Sequence, residues 1–187
     1  MRAVVPLALI IPGFLLFGCG SSGGRRTEGQ PQAAKTTEGD PLARGIQLYE
    51  QGRFGEAAAV LSQAVASQPN NGRALTYLGL ARAQSGEAGQ AVDPLQKALA
   101  IDGNNAQAHF GLGLAYGYLH RIDDSVREFE RTLQLEPNHA YAHYHLGLAY
   151  NEQRRVDLAV SHLKRFLELA PHAPEAPQVR SLLNQLH

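Results

Sequence analysis

The sequence predicts an all-α fold, an α-solenoid of about four stacked helix pairs closed by a C-terminal capping helix. Two observations carry this. The first is a 34-residue echo: Gly45, Gly79, Gly113 and Gly147 keep that step, as do Ile46, Leu80, Leu114 and Leu148. Leu78, Leu112 and Leu146 repeat it, followed by Ala81, Ala115 and Ala149, then Val92, Val126 and Val160. Independent positions agreeing on one period mark duplicated units. The second is helical patterning within each unit. Leu112 with Tyr116 and Leu146 with Tyr150 lie on one face at the 3.6 period, and Val126, Phe129 and Leu133 form the face of a second helix. A unit of this size cannot bury a core alone. It must stack on its neighbours, and the stack creates an extended binding surface.

The chain opens with an address. Residues 1–18 read Met-Arg, an apolar run from Ala3 to Phe17, then Gly18. Such a run suits a secretory signal. As a helix it would span about 22 Å, short of the roughly 30 Å hydrocarbon layer. Pro6 and Pro12 weaken a spanning helix further. Leu16-Phe17-Gly18-Cys19 resembles the bacterial lipoprotein signal, in which cleavage leaves cysteine first. That resemblance implies lipid on Cys19, the chain's only cysteine. Residue 20 is Gly rather than Asp, which by the same resemblance points to the outer membrane where the host has one. Residues 19–41 are rich in Gly, Ser, Thr, Gln and Pro and nearly free of large apolar side chains, so they are expected to form a flexible tether.

From residue 42 the pattern becomes helical. The spacing predicts helices over 42–52, 55–67, 72–85, 88–101, 106–119, 122–135, 140–153 and 156–169. Turns between paired helices fall at Gly52, Gly86, His120-Arg121 and Gln153-Arg154. Turns between units fall at Pro69-Asn70-Asn71, Gly103-Asn104-Asn105 and Pro137-Asn138. Mid-helix glycine costs roughly 1 kcal/mol against alanine. Four at one period predict close helix–helix approach, where a methyl would clash. Residues 174–187 read as the cap, with Pro177 suited to a first turn and Val179, Leu182, Leu183 and Leu186 on one stripe.

These residues strongly resemble the tetratricopeptide repeat (TPR) family. The Leu-Gly pairs at 78–79, 112–113 and 146–147, with Tyr116 and Tyr150, match its first helix. Ala57 with Leu61, Ala91 with Leu95, Ser125 with Phe129, and Ala159 with Leu163 match its second; Pro69, Pro137 and Pro171 close units. The match covers residues 42–173 as four units, the first degenerate. Leu75, His109 and His143 stand where the family often has Trp; Arg44 occupies the Leu place in the first unit, Arg82 the aromatic place in the second, and Gly103 the closing proline place. A terminal unit tolerates such loss, and its first helix is expected to be short or frayed.

The resemblance places the first helices along a concave groove. Residues facing it would include Tyr77, Phe110, Leu114, Tyr118, Tyr141, Tyr144, His145, Leu148 and Asn151, together with Tyr49, Arg73, Thr76, Leu80, Gln84 and Gln107. Tyrosine offers rigid contact area and a hydroxyl, so this lining suits a protein or peptide partner. The family's clamp for chaperone tails uses Lys, Arg and Asn; Leu42, Ile46, Tyr77, Gln107 and Gly111 stand at the comparable places, so no such clamp is expected.

Other chemistry has little support in the sequence. The 17 basic and 17 acidic residues cancel, and removing residues 1–18 removes only Arg2, leaving 16 against 17. Nothing in that balance favours nucleic acid. Gly111 to Gly117 is not a phosphate loop, because no strand precedes it. His139 and His143 share a helix face at i, i+4 and form a candidate metal pair, the basis of an alternative reading as a metal-assisted hydrolase. A self-associating scaffold is the third reading. The leading expectation is a non-enzymatic, cofactor-free adaptor, exported and lipid-anchored in the bacterial cell envelope, that binds a protein or peptide partner.

Overall fold

Helix-breaking signals recur at a fixed step, and the helices fall between them. The computed structural model describes residues 39–186. The signal segment, Cys19 and most of the tether lie outside these residues. Among the described residues the regular elements are all helical: α1 (Pro41–Glu50), α2 (Phe54–Ser67), α3 (Gly72–Gln84), α4 (Ala88–Ile101), α5 (Ala106–Tyr118), α6 (Ile122–Leu135), α7 (Ala140–Glu152), α8 (Val156–Leu169) and α9 (Ala176–Leu186). Helices α4, α6 and α8 begin and end where the spacing puts them. The first helix, α1, is the shortest of these at 10 residues.

Caps fix the starts of the first helices. The side chains of Asn71, Asn105 and His139, 34 apart, accept from the backbone N–H of Ala74, Ala108 and Ala142 at 3.0–3.1 Å. Asp40 caps α1 through Leu42 N–H, with Pro41 in the first turn. Their ends are also uniform. Gly52, Gly86, His120 and Arg154 adopt left-handed φ of 75°, 90°, 55° and 60°. The next residues, Arg53, Glu87, Arg121 and Arg155, donate N–H bonds to Leu48, Arg82, Tyr116 and Tyr150 carbonyls at 2.8–2.9 Å. This Schellman geometry turns the chain sharply into the second helix.

Each first helix packs on its own second helix, and each second helix packs on the next first helix. First helices also touch one another: α1 with α3, α3 with α5, α5 with α7. Among the described residues no such contact joins α2, α4, α6 and α8 to one another. The stack is therefore crowded on the first-helix side and splayed on the other, and its concave face is lined by α1, α3, α5 and α7.

The periodic glycines make the pairing possible. A Cβ on Gly45 would lie 2.5 Å from Cγ of Leu61, one on Gly113 2.6 Å from the Phe129 ring, and one on Gly147 2.6 Å from Leu163. Gly79 stands closer still to Leu95. Leu61, Leu95, Phe129 and Leu163 themselves recur every 34 residues and are almost wholly buried. Ser125 adds a buried bond, donating to the Gly113 carbonyl at 2.7 Å. The core continues through Phe166 to Val179 and Leu183 of α9, which covers the last unit.

Arg82, a departure from the repeat pattern, has a local cause. Pro94 sits inside α4 and has no N–H to give to the carbonyl of Gln90. The Arg82 guanidinium reaches that carbonyl at 3.3 Å. In the next two units Tyr116 and Tyr150 take the corresponding place. Arg121 and Arg155 stack over their rings, 4.3 and 4.9 Å from the centroids.

Candidate functional site: an aromatic concave face

The inner face divides into two aromatic groups. Toward the N-terminal end, Tyr49 meets Tyr77 edge-on at 5.6 Å and Phe54 at 5.3 Å. Gln84 donates to the Tyr49 hydroxyl at 2.5 Å. Burial dominates at Tyr49 and pushes its pKa up to about 12, although the Gln84 bond opposes the shift. Arg73 is exposed and lies 5.9 Å over the Tyr77 ring.

Toward the C-terminal end the aromatic groups form a continuous platform. Phe110 lies 4.6 Å from the His139 ring, 5.6 Å from Phe129 and 5.9 Å from His145. His145 stacks on Phe129 at 5.3 Å with planes 10° apart, and meets Tyr144 at 5.0 Å. Tyr144 continues to Phe166 at 5.1 Å and to Tyr141 at 6.4 Å. Desolvation among these rings, with a smaller contribution from His139, pushes His145 down to about 4, so it is neutral at pH 7. Tyr144 and Tyr141 are both raised by burial first and by Glu175 second. The Tyr141 hydroxyl donates to Glu175 at 3.2 Å.

The expected lining residues occupy three kinds of place. Tyr118 and Tyr141 are open to solvent, at 45% and 39% exposure. Tyr77, Phe110, Tyr144, His145, Leu148 and Asn151 are partly buried. Leu114 is 5% exposed and belongs to the core, as do Leu80 and Thr76. Thr76 donates to the Gly72 carbonyl at 2.8 Å and accepts from Asn105 at 3.0 Å, joining two units. Two residues that sequence reasoning missed shape this face: Phe166 beneath the tyrosines and Glu175 at their edge. Glu175 lies 34 residues after Tyr141, so the repeat step could have found it.

The proposed His139–His143 metal pair does not form. Nδ1 of His139 is used as the cap of α7, and its ring lies against Phe110. His143 turns to the other side. Its Nδ1 meets Nδ1 of His162 at 2.9 Å, and its Nε2 lies 3.1 Å from the Pro137 carbonyl. One unit earlier the same positions hold His109, with Nδ1 2.7 Å from Glu128 and Nε2 3.3 Å from the Gly103 carbonyl. The histidines thus tie first helix to second helix. Among the described residues no group of three metal-ligating side chains converges.

Comparison with known proteins agrees with this architecture. The family model described as Tetratricopeptide repeat matches residues 42–106 and 110–174. Similar solved structures include MamA, at 25% identity and a TM-score of 0.63 over 75% of this chain and 82% of that one. A thermophilic TPR protein from Thermus thermophilus is 25% identical with a TM-score of 0.65, over 78% of this chain and 79% of that one. YrrB, described as a TPR protein with an unusual peptide-binding site, shares the fold at 20% identity and a TM-score of 0.62, over 75% and 73%. A comparison with curated proteins finds no match. Repeats of this kind serve as protein-interaction scaffolds and are generally not catalytic. With the family model covering most of its length and the helix pairs in register, the chain belongs to the tetratricopeptide repeat family.

Proposed function

We propose that this chain is a non-enzymatic adaptor of the cell envelope, held to a membrane by lipid on Cys19, which grips a protein or peptide in its concave groove. One observation carries the groove reading. Tyr118 and Tyr141 stay open to solvent on the inner helices, beside the half-buried rings of Phe110 and Tyr144. Rigid amphipathic rings collected on a concave surface are what recognition sites use. The anchoring reading is supported by residues 1–18, by Leu16-Phe17-Gly18-Cys19 and by the polar segment that follows. Several acyl chains hold a soluble domain stably, where one gives only marginal binding. In a host with two membranes, the outer one is the expected site.

Two substitutions test the two halves separately. Cys19→Ser moves the protein from the membrane fraction to the soluble fraction; retention in the membrane without lipid overturns the tether. Tyr144→Ala lowers partner recovery from detergent-solubilised envelope while helical circular dichroism stays unchanged. Equal recovery by Tyr144→Ala removes this residue from the groove.

A further inference from the structure

The groove's C-terminal end carries a charge pattern that specifies more than apolar contact. The second residues of α3, α5 and α7 recur at the 34-residue step as Arg73, Gln107 and Tyr141, and the step continues to Glu175 at the approach to α9. Tyr141 and Glu175 are joined through the tyrosine hydroxyl at 3.2 Å. Tyr144 stands edge-on to Tyr141, and Tyr118 is the most exposed tyrosine of the face. Among the described residues no ion pair engages Glu175; the pairs that form use Glu56, Asp93, Asp124, Glu128 and Glu168. At the opposite end Arg73 lines a pocket together with Asp40 and Glu50.

We infer that this end of the groove is a cation-recognition site, and that the partner presents a lysine or arginine side chain there. The ammonium or guanidinium would lie over the Tyr141 and Tyr144 faces with Glu175 as its counter-ion. Aromatic faces attract cations through their quadrupole, and a carboxylate beside them adds a charge-assisted bond. An acidic partner segment would meet Glu175 without compensation and be rejected. The inference rests on the groove reading and deepens it by naming the partner's chemistry.

The test uses the full-length protein in detergent and a displayed random 12-residue peptide library. Peptides selected on the wild-type protein are expected to be enriched in Lys or Arg. Their affinity falls on the order of tenfold in Glu175→Gln, which keeps an acceptor for the Tyr141 hydroxyl while removing the charge. Glu175→Lys is expected to select acidic residues instead. Amide shifts of the bound complexes separate the two claims. Peptides that perturb Tyr141 and Tyr144 but lack basic residues, or that bind Glu175→Gln equally well, overturn the cation assignment and leave the groove standing. Peptides that perturb only α2, α4, α6 or α8 overturn both, as does a library that yields no binder.

Discussion

Replacing Gly113 by alanine puts a methyl group where the Phe129 ring already stands. The added Cβ would lie 2.6 Å from both Cδ1 and Cε1 of Phe129 and 2.9 Å from its Cζ. Carbon atoms pack best at about 3.5–4.0 Å, so the ring must retreat by about 1 Å. It has little room to do so. Phe129 is 2% exposed, stacked on His145 and leaning on Phe110. Two effects oppose each other. Alanine gains roughly 1 kcal/mol of helix propensity over glycine. Overpacking a close-packed core costs about 1–3 kcal/mol, and occasionally more. With the clash directed at a ring wedged between two others, the cost lies at the upper end, and the expected net loss is about 1–2 kcal/mol. Gly117 provides the control on the same helix. Its Cβ would meet only Ser125 Oγ, at 3.4 Å, which is ordinary contact. Gly117→Ala is therefore expected to stabilise by about 0.5–1 kcal/mol. Urea unfolding followed by circular dichroism reads both, with midpoint and slope compared so that a change in cooperativity is not mistaken for a change in stability. Two identical substitutions four residues apart should differ in sign and by about 1.5–3 kcal/mol. If Gly113→Ala proves as stable as Gly117→Ala, close approach is not why glycine recurs at the 34-residue step.

Further consequences concern turns and titration. His120 and Arg154 hold the left-handed conformation that Gly52 and Gly86 hold in the earlier units. Non-glycine residues in that region are disfavoured by roughly 1–2 kcal/mol, so His120→Gly and Arg154→Gly should each stabilise the fold by up to about 1 kcal/mol once glycine's unfolded-chain entropy is deducted, read as a raised thermal midpoint. An unchanged or lowered midpoint contradicts this. Stability should also fall with acidification. The fold favours neutral His145, whose value of about 4 lies below its ordinary 6.5. Its contribution is whole above pH 6.5 and is lost as pH falls toward 4, at about 1.4 kcal/mol per pH unit, for a loss of up to about 3 kcal/mol. His139 and His162 are lowered by burial as well and act in the same direction. His145→Phe should flatten the decline in urea midpoint between about pH 7 and 4.5; a slope as steep as that of the wild type would show that His145 does not supply it.

The helix pairs were legible because their determinants are local or periodic. Glycine at Gly45, Gly79, Gly113 and Gly147 is imposed by one backbone approach, repeated, and its partner recurs 16 residues later in every unit. The roles of the histidines were not legible from residue type. Imidazole suggests a metal ligand, but His139 follows Asn71 and Asn105 at the 34-residue step, and the shared role of the three is to cap a helix. His143 and His162 likewise repeat the contact of His109 with Glu128. Leu114 was expected on the groove because helical period alone cannot separate the groove floor from the core beneath it. Glu175 escaped notice because it follows the last repeated pair, where the residues serve as a cap.

Amide chemical-shift mapping of the full-length protein with a library-selected peptide bears most directly on the central claim, that first helices and not second helices face the partner. Perturbations confined to α3, α5 and α7, centred on Phe110, Tyr141 and Tyr144, are the predicted result. Perturbations that run along the outer faces of α4, α6 and α8 while those rings stay unmoved would contradict it.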